Sequence, residues 1–191
     1  MRGLRFAILA VFAPVPAFAH DAFGDLGPFY ASLLHPLADP LQGVLLLGTA
    51  AFLAGRPLST VRPALPIFLA AAALGYAAIG MRPDLAFSPL LGGCLALIAG
   101  LAATLPDPYV PRMPGLVLVA ATGALAGLAP GAPLAGSALQ ASLGTLAGIA
   151  ALTTLAWYAF DSAGRRVTPI VPKVVGSWVA AIGILIAAFS L

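Results

Sequence analysis

Six long apolar runs divide this chain, and they carry almost no charge. They cover about 28–54, 63–80, 87–105, 113–129, 138–160 and 170–190. A helix needs about 20 apolar residues to cross the hydrocarbon of a bilayer, and each run offers roughly that length. Crossing by strands would need alternating segments of about ten residues set between turns, and the chain has no such pattern. Hydrophobic residues make up 61% of the 191 and charged residues 8%, with a mean hydropathy of +1.05. A soluble domain carries about 25% charge. The expectation is an all-α, polytopic membrane protein: one six-transmembrane-helix bundle, residues 20–191, behind an N-terminal signal peptide, residues 1–19.

The signal peptide is read from Arg2 and Arg5, the apolar stretch after them, and Ala17-Phe18-Ala19 at its end, the three parts of a secretory signal. Cleavage after Ala19 leaves His20 at the mature N-terminus; a retained signal anchor is the alternative. Residues 20–27, HDAFGDLG, form a short polar segment outside the membrane. Orientation follows from the loop cations. Arg56, Arg62, Arg112, Arg165, Arg166 and Lys173 gather on one side and Arg82 alone on the other. The first side is expected to be cytoplasmic. The protein is then a multi-pass protein of the bacterial inner membrane with both mature termini periplasmic.

The run at 28–54 differs from the others. It contains His35, Asp39 and Gln42, spaced four and three apart and so on one face of a helix. Ionisable groups at membrane depth are costly, and by default they mark a site. Pro36 and Pro40 interrupt the same run. Each lacks an N–H and crowds the carbonyl four residues back, so the helix is expected to kink or restart here. Broken helices with freed carbonyls build the binding sites of many transporters.

Small residues are expected to join the helices: Gly123, Gly127 and Gly131, and Gly144 with Gly148, repeat every four residues. Trp157, Tyr158 and Phe160 read as interfacial anchors, Trp178 as a deeper packing residue, and Cys94 as a buried thiol with no intrachain partner. Asp161 reads as solvated or locally paired with the arginines after it.

Several function classes find no support. The basic residues sit in short loops without interleaved aromatics, so no nucleic-acid partner is expected. No CxxC, HExxH, GxSxG, phosphate-loop or dinucleotide pattern occurs, and no permanently bound cofactor or enzymatic activity is expected. Metal chemistry is the remaining possibility. A free His20 offers an amine and an imidazole together, and Asp21 and Asp25 would add oxygens. The expected metal ligands are His20, Asp21, His35, Asp39 and Gln42, a set suited to a late divalent metal. Packing roles stand beside each: a solvated His20, a mutually paired His35 and Asp39, and Gln42 as an interhelical hydrogen-bond donor.

The layout resembles a known family. A signal followed by His20, then GPFYASLLHPLADPLQGVLLLGTAAFLAG, and a last run reading VPKVVGSWVAAIGILIAAFSL are similar to the HupE/UreJ family, six-span proteins associated with hydrogenase and urease and regarded as nickel or cobalt permeases. The family's opening motif is similar to H-P-L-x-G-x-D-H. His35, Pro36 and Leu37 match it, Asp39 stands at the motif's glycine, and Leu41 and Gln42 stand at its Asp and second His. A second, His-rich motif would fall at AGLAPGAPL. Ala126 and Pro130 occupy its histidine positions and Pro133 its acidic one, while Gly127, Ala129 and Gly131 keep the small residues. The resemblance implies a secondary permease for a divalent metal ion, nickel or cobalt, in contact with the lipid bilayer. Two alternatives are a non-transporting structural subunit, bound to a membrane protein partner or to further copies of itself, and a periplasm-facing metal chaperone built on His20.

Overall fold

In a computed structural model of the chain, the described residues are 26–82, 88–129 and 138–191. They form seven α-helices: α1 (Gly27–Ala38), α2 (Pro40–Ala54), α3 (Leu58–Met81), α4 (Pro89–Thr104), α5 (Arg112–Leu128), α6 (Ala138–Arg166) and α7 (Val171–Ala188). A short 3-10 turn, Asp107–Tyr109, joins α4 to α5. Each expected apolar run coincides with one helix, except that 28–54 is two.

The break falls at Asp39, which adopts an extended conformation between α1 and α2 and turns the axis by 72°. Its cause is local. Pro36 and Pro40 deny donors to the carbonyls four residues before them, and Asp39 then starts a new helix. The Asp39 Oδ1 accepts from the backbone N–H of Leu41 at 2.9 Å and of Gln42 at 3.1 Å. This is an N-cap, which satisfies donors that a helix start otherwise leaves open. The carbonyl of Pro36 lies against the first turn of α2, where a Cβ at position 43 would come within 3.0 Å of it; Gly43 is the residue that allows this approach.

α2 is the axis of the bundle. Apart from Leu47 and Gly43, every residue from Gln42 to Ala54 is buried, as expected of a helix apolar on all sides. It packs on α4, α5, α6 and α7. Around it the remaining helices form close pairs, α1 with α6, α3 with α5 and α4 with α7. Glycine makes each pair close. A Cβ on Gly144 or Gly148 would strike the Phe29 or Leu33 carbonyl of α1, and one on Gly123 or Gly127 the Phe68 or Ala72 carbonyl of α3. In the third pair Gly93 and Gly100 meet Gly183 and Gly176 reciprocally. The first two seams repeat every four residues, as expected for Gly123 with Gly127 and for Gly144 with Gly148, while Gly131 lies outside the described residues; the third repeats every seven. Phe68, Leu46, Leu53 and Ile149 fill the core.

The outer surface is apolar. Leu74, Val117, Leu155, Leu185 and Trp178 are exposed large side chains, a surface suited to lipid and unsuited to water. Trp178 is 69% exposed, so it faces outward and does not pack as expected; its neighbours Gly176, Val179 and Ala180 take the inner face of α7 instead. α6 runs six residues beyond its apolar stretch because Asp161 and Arg165, four apart, pair along its surface.

By length and composition, three helices can cross a bilayer alone: α3 with 24 residues, α6 with 29 and α7 with 18. The bent pair α1–α2 makes a fourth if it counts as one span. α4 and α5 are apolar but only 16 and 17 residues long, short of the six full crossings expected. At 1.5 Å per residue α4 reaches about 24 Å, against about 30 Å of hydrocarbon. Proline limits it at both ends, with Pro89 as its first residue and Pro106 following Leu105.

Candidate functional site

The break in the first run holds the pair that the sequence singles out. His35 Nε2 and Asp39 Oδ2 are 3.8 Å apart, with side chains 26% and 22% exposed. The break comes at Asp39 itself, whose N–H still bonds the His35 carbonyl at 2.9 Å, so the two groups stay adjacent, one turn apart. The carboxylate is divided in function: Oδ1 caps α2, and Oδ2 faces the imidazole. A cation bonded at about 2.1 Å to both would need ligand atoms about 3.0 Å apart in a right-angled arrangement and about 4.2 Å in a linear one. The observed separation lies between these, so the two groups could share one ion. Among the described residues no third His, Cys, Asp or Glu joins them. His20 and Asp21 lie outside the described residues.

Gln42 leaves this pair. Its side chain is fully buried, and Nε2 donates to the Ala126 carbonyl of α5 at 2.8 Å. The reason lies in the sequence after α5. Residue 130 is proline and offers no N–H, so the Ala126 carbonyl has no helical donor four residues on, and the Gln42 amide takes that place. Its Oε1 is buried with no hydrogen-bond partner among the described residues. Positions 42 and 126 are two of those at which the family resemblance expects histidines that this chain lacks, and the fold brings them into contact.

A polar line continues down the same face of α2. Gln42 and Thr49 lie two turns apart on α2, Arg56 follows seven residues on, just past the helix end at Ala54, and all three are buried. Thr49 donates to Thr122 Oγ1 of α5 at 2.9 Å, and Thr122 donates to the Val119 carbonyl at 3.0 Å. At the foot, Arg56 has a side chain only 2% exposed. Its Nη1 donates to Asp107 Oδ1 at 3.2 Å and its Nη2 to the Ala102 carbonyl at 2.9 Å. The guanidinium stands 4.6 Å over the Phe52 ring, within cation–π range. Arg56 thus closes the end of α4, whose last carbonyls have no helical donors. Sequence reasoning treated Arg56 as a loop cation because it follows Gly55. The interval 42–49–56 is the signal that would have placed it with Gln42.

Of the other polar side chains in the bundle, Thr122 is bonded to Thr49, Ser142 meets the Tyr76 hydroxyl at 3.4 Å and the Ala138 carbonyl at 2.6 Å, and Thr145 and Thr153 are buried on α6, distant from the His35–Asp39 pair in sequence. A cleft of about 190 Å³ lies on the α5 side of Arg56, lined by Phe52, Asp107 and Arg112 among others. A second, of about 420 Å³, lies on its other side, towards α6 and α7. Comparison with protein-family models, with curated proteins and with solved structures found no match to this chain.

Proposed function

We propose that this chain is a HupE/UreJ-like secondary permease of the bacterial inner membrane, carrying a divalent metal ion of the nickel or cobalt class through a six-crossing bundle. The observation that carries this reading is the His35–Asp39 pair, held at 3.8 Å on a broken, partly exposed helix junction. An imidazole and a carboxylate suit such ions, and the Pro36 carbonyl, denied its helical donor by Pro40, is a further oxygen on the same junction. His20 and Asp21 would capture the ion outside, and His35 and Asp39 would receive it. The membrane potential supplies the drive: about 2.3 kcal/mol per charge per 100 mV, and so about 4.6 for a divalent cation entering a negative interior. Arg56 over Phe52, tied to Asp107, shuts the opposite end and would repel the ion until that end opens. The protein acts as a carrier and not as an enzyme.

Uptake of radioactive nickel or cobalt by cells making the protein tests this. Uptake above empty-vector cells, lost in His35→Ala, is the expected result. Uptake equal to the vector, with the protein present in the membrane, overturns it.

One observation favours a second reading, a non-transporting subunit of a membrane complex. Gln42 and Ala126, where the resemblance expects metal-binding histidines, hydrogen-bond to each other. A stoichiometric membrane protein that co-purifies with the chain, and does so equally with His35→Ala, would mark this alternative.

A further inference from the structure

The larger cleft beside Arg56 is not used by the proposed transport route. It lies where α2, α4 and α6 end and α7 begins, with a volume of about 420 Å³. Three cations line it, Arg56, Arg165 and Lys173, against one carboxylate, Asp161. Asp161 pairs with Arg165, and Arg56 is held by Asp107 and by α4 carbonyls. Lys173 is exposed and makes no ion pair among the described residues. The cleft therefore keeps an excess of positive charge at its mouth, and Arg56 adds its field from the buried floor. Exposed Leu58 and Leu105 form an apolar lip.

We infer that this cleft binds a phosphate group, that of an anionic phospholipid whose headgroup seats between the helix ends while its chains lie along the apolar outer surface. The shared chemistry is a phosphate with a net negative charge. A lipid is the better source because cationic pockets between membrane helices meet headgroups at that depth, and because the lip continues onto a surface that lipid already covers. Arg165 and Lys173 make the direct contacts. Prolines form much of the wall and hold the cleft open before binding. The inference does not depend on metal transport.

Detergent-solubilised full-length protein, titrated with phosphatidylglycerol, phosphatidylcholine or inorganic phosphate and read by native mass spectrometry, is the test. Phosphatidylglycerol should be retained over phosphatidylcholine. Lys173→Gln should weaken retention about five-fold, and Arg165→Gln with Lys173→Gln about twenty-fold, from the usual worth of one interfacial cation. Arg62→Gln, an exposed cation on α3 that does not line the cleft, should change nothing. Lys173→Gln leaves the Asp161–Arg165 pair intact, so its result stands even if the double variant fails to fold. Equal retention of the two lipids, or an equal loss in Arg62→Gln, overturns the site. Inorganic phosphate that binds alone and is lost in the same variants assigns the cleft to a soluble anion and overturns the lipid.

Discussion

The two ends of α2 solve opposite problems. At the N-terminal end the helix is broken, the ionisable groups are about a quarter exposed, and His35 and Asp39 face each other across 3.8 Å without closing to hydrogen-bond distance. At the C-terminal end Arg56 is almost fully buried, donates to a carboxylate and to helix-end carbonyls, and stacks on an aromatic ring. The first arrangement is a local pair at a helix junction; the second is gathered from separate elements. A charge used to fasten helices is surrounded by partners from other elements. The His35–Asp39 pair is instead local, one turn apart where α1 meets α2, with side chains about a quarter exposed.

The largest effect should come from the fastened end. Replacing Arg56 by alanine removes charged hydrogen bonds to the end of α4, worth about 1.5–3 kcal/mol each, together with the half-exposed Asp107 pair, worth less, and the Phe52 contact. Reversible unfolding of the purified protein in mixed detergent should show a loss of about 2–4 kcal/mol. His35→Ala, at the open end, should cost less than about 1 kcal/mol in the same assay. Equal losses would erase the distinction between the two ends.

Asp39 separates cap from charge at the open end. Asparagine caps nearly as well as aspartate, while alanine loses about 1 kcal/mol of capping. Stability should therefore fall by about 1 kcal/mol in Asp39→Ala and by only a few tenths in Asp39→Asn. Metal uptake, if carried by the carboxylate, should be lost in both. Uptake that survives in Asp39→Asn would reduce Asp39 to a helix start and leave His35 without its partner.

How much of this could be read from residue order depends on the kind of contact. Helix positions were legible because apolar runs and proline boundaries are local. The restart at Pro36 and Pro40 was legible for the same reason, and so was the adjacency of His35 and Asp39 one turn apart. The start of α3 at Leu58 was not: the apolar run begins only at residue 63, and Pro63 and Pro66 are carried inside the helix. Nor was the α4–α7 seam, whose glycines repeat at seven and not at four. Arg56 does lie in the loop after α2, as expected, but its burial was not legible, because that depends on what α4 and the turn at Asp107 bring to it, about fifty residues away. Gln42 sits between these cases. Its role as an interhelical donor was an open alternative, and its acceptor follows from Pro130, but only once α2 is known to lie on α5.

Gln42 gives a smaller and more informative prediction about the middle of the line. Leucine at this position gives up the bond to Ala126, worth about 1 kcal/mol, but also removes Oε1, a buried acceptor with no partner. The two effects oppose, so Gln42→Leu should change stability by less than about 1 kcal/mol. Gln42→Ala should cost more, about 2 kcal/mol, because it also leaves a cavity. A loss in Gln42→Leu as large as that in Arg56→Ala would show that Oε1 holds something the protein needs, and would make the middle of α2 part of the open end.

The smallest effect should come from the other half of the Arg56 pair. Asp107 lies on the 3-10 turn with its side chain 49% exposed, so water solvates the carboxylate whether or not the arginine is there. Neutralising it leaves Arg56 with its bonds to the Ala102 carbonyl and its place over Phe52. Half-exposed ion pairs are worth about 0–1 kcal/mol, and Asp107→Asn should therefore lose no more than about 0.5 kcal/mol in the unfolding assay. The asymmetry between the partners is the point. If Arg56 is anchored chiefly by α4, removing the acid will hardly be felt, and the foot of α2 stays shut. A loss in Asp107→Asn approaching that of Arg56→Ala would mean that the acid holds the arginine in place, and the closure would then rest on a single solvated contact that an incoming ion could compete for.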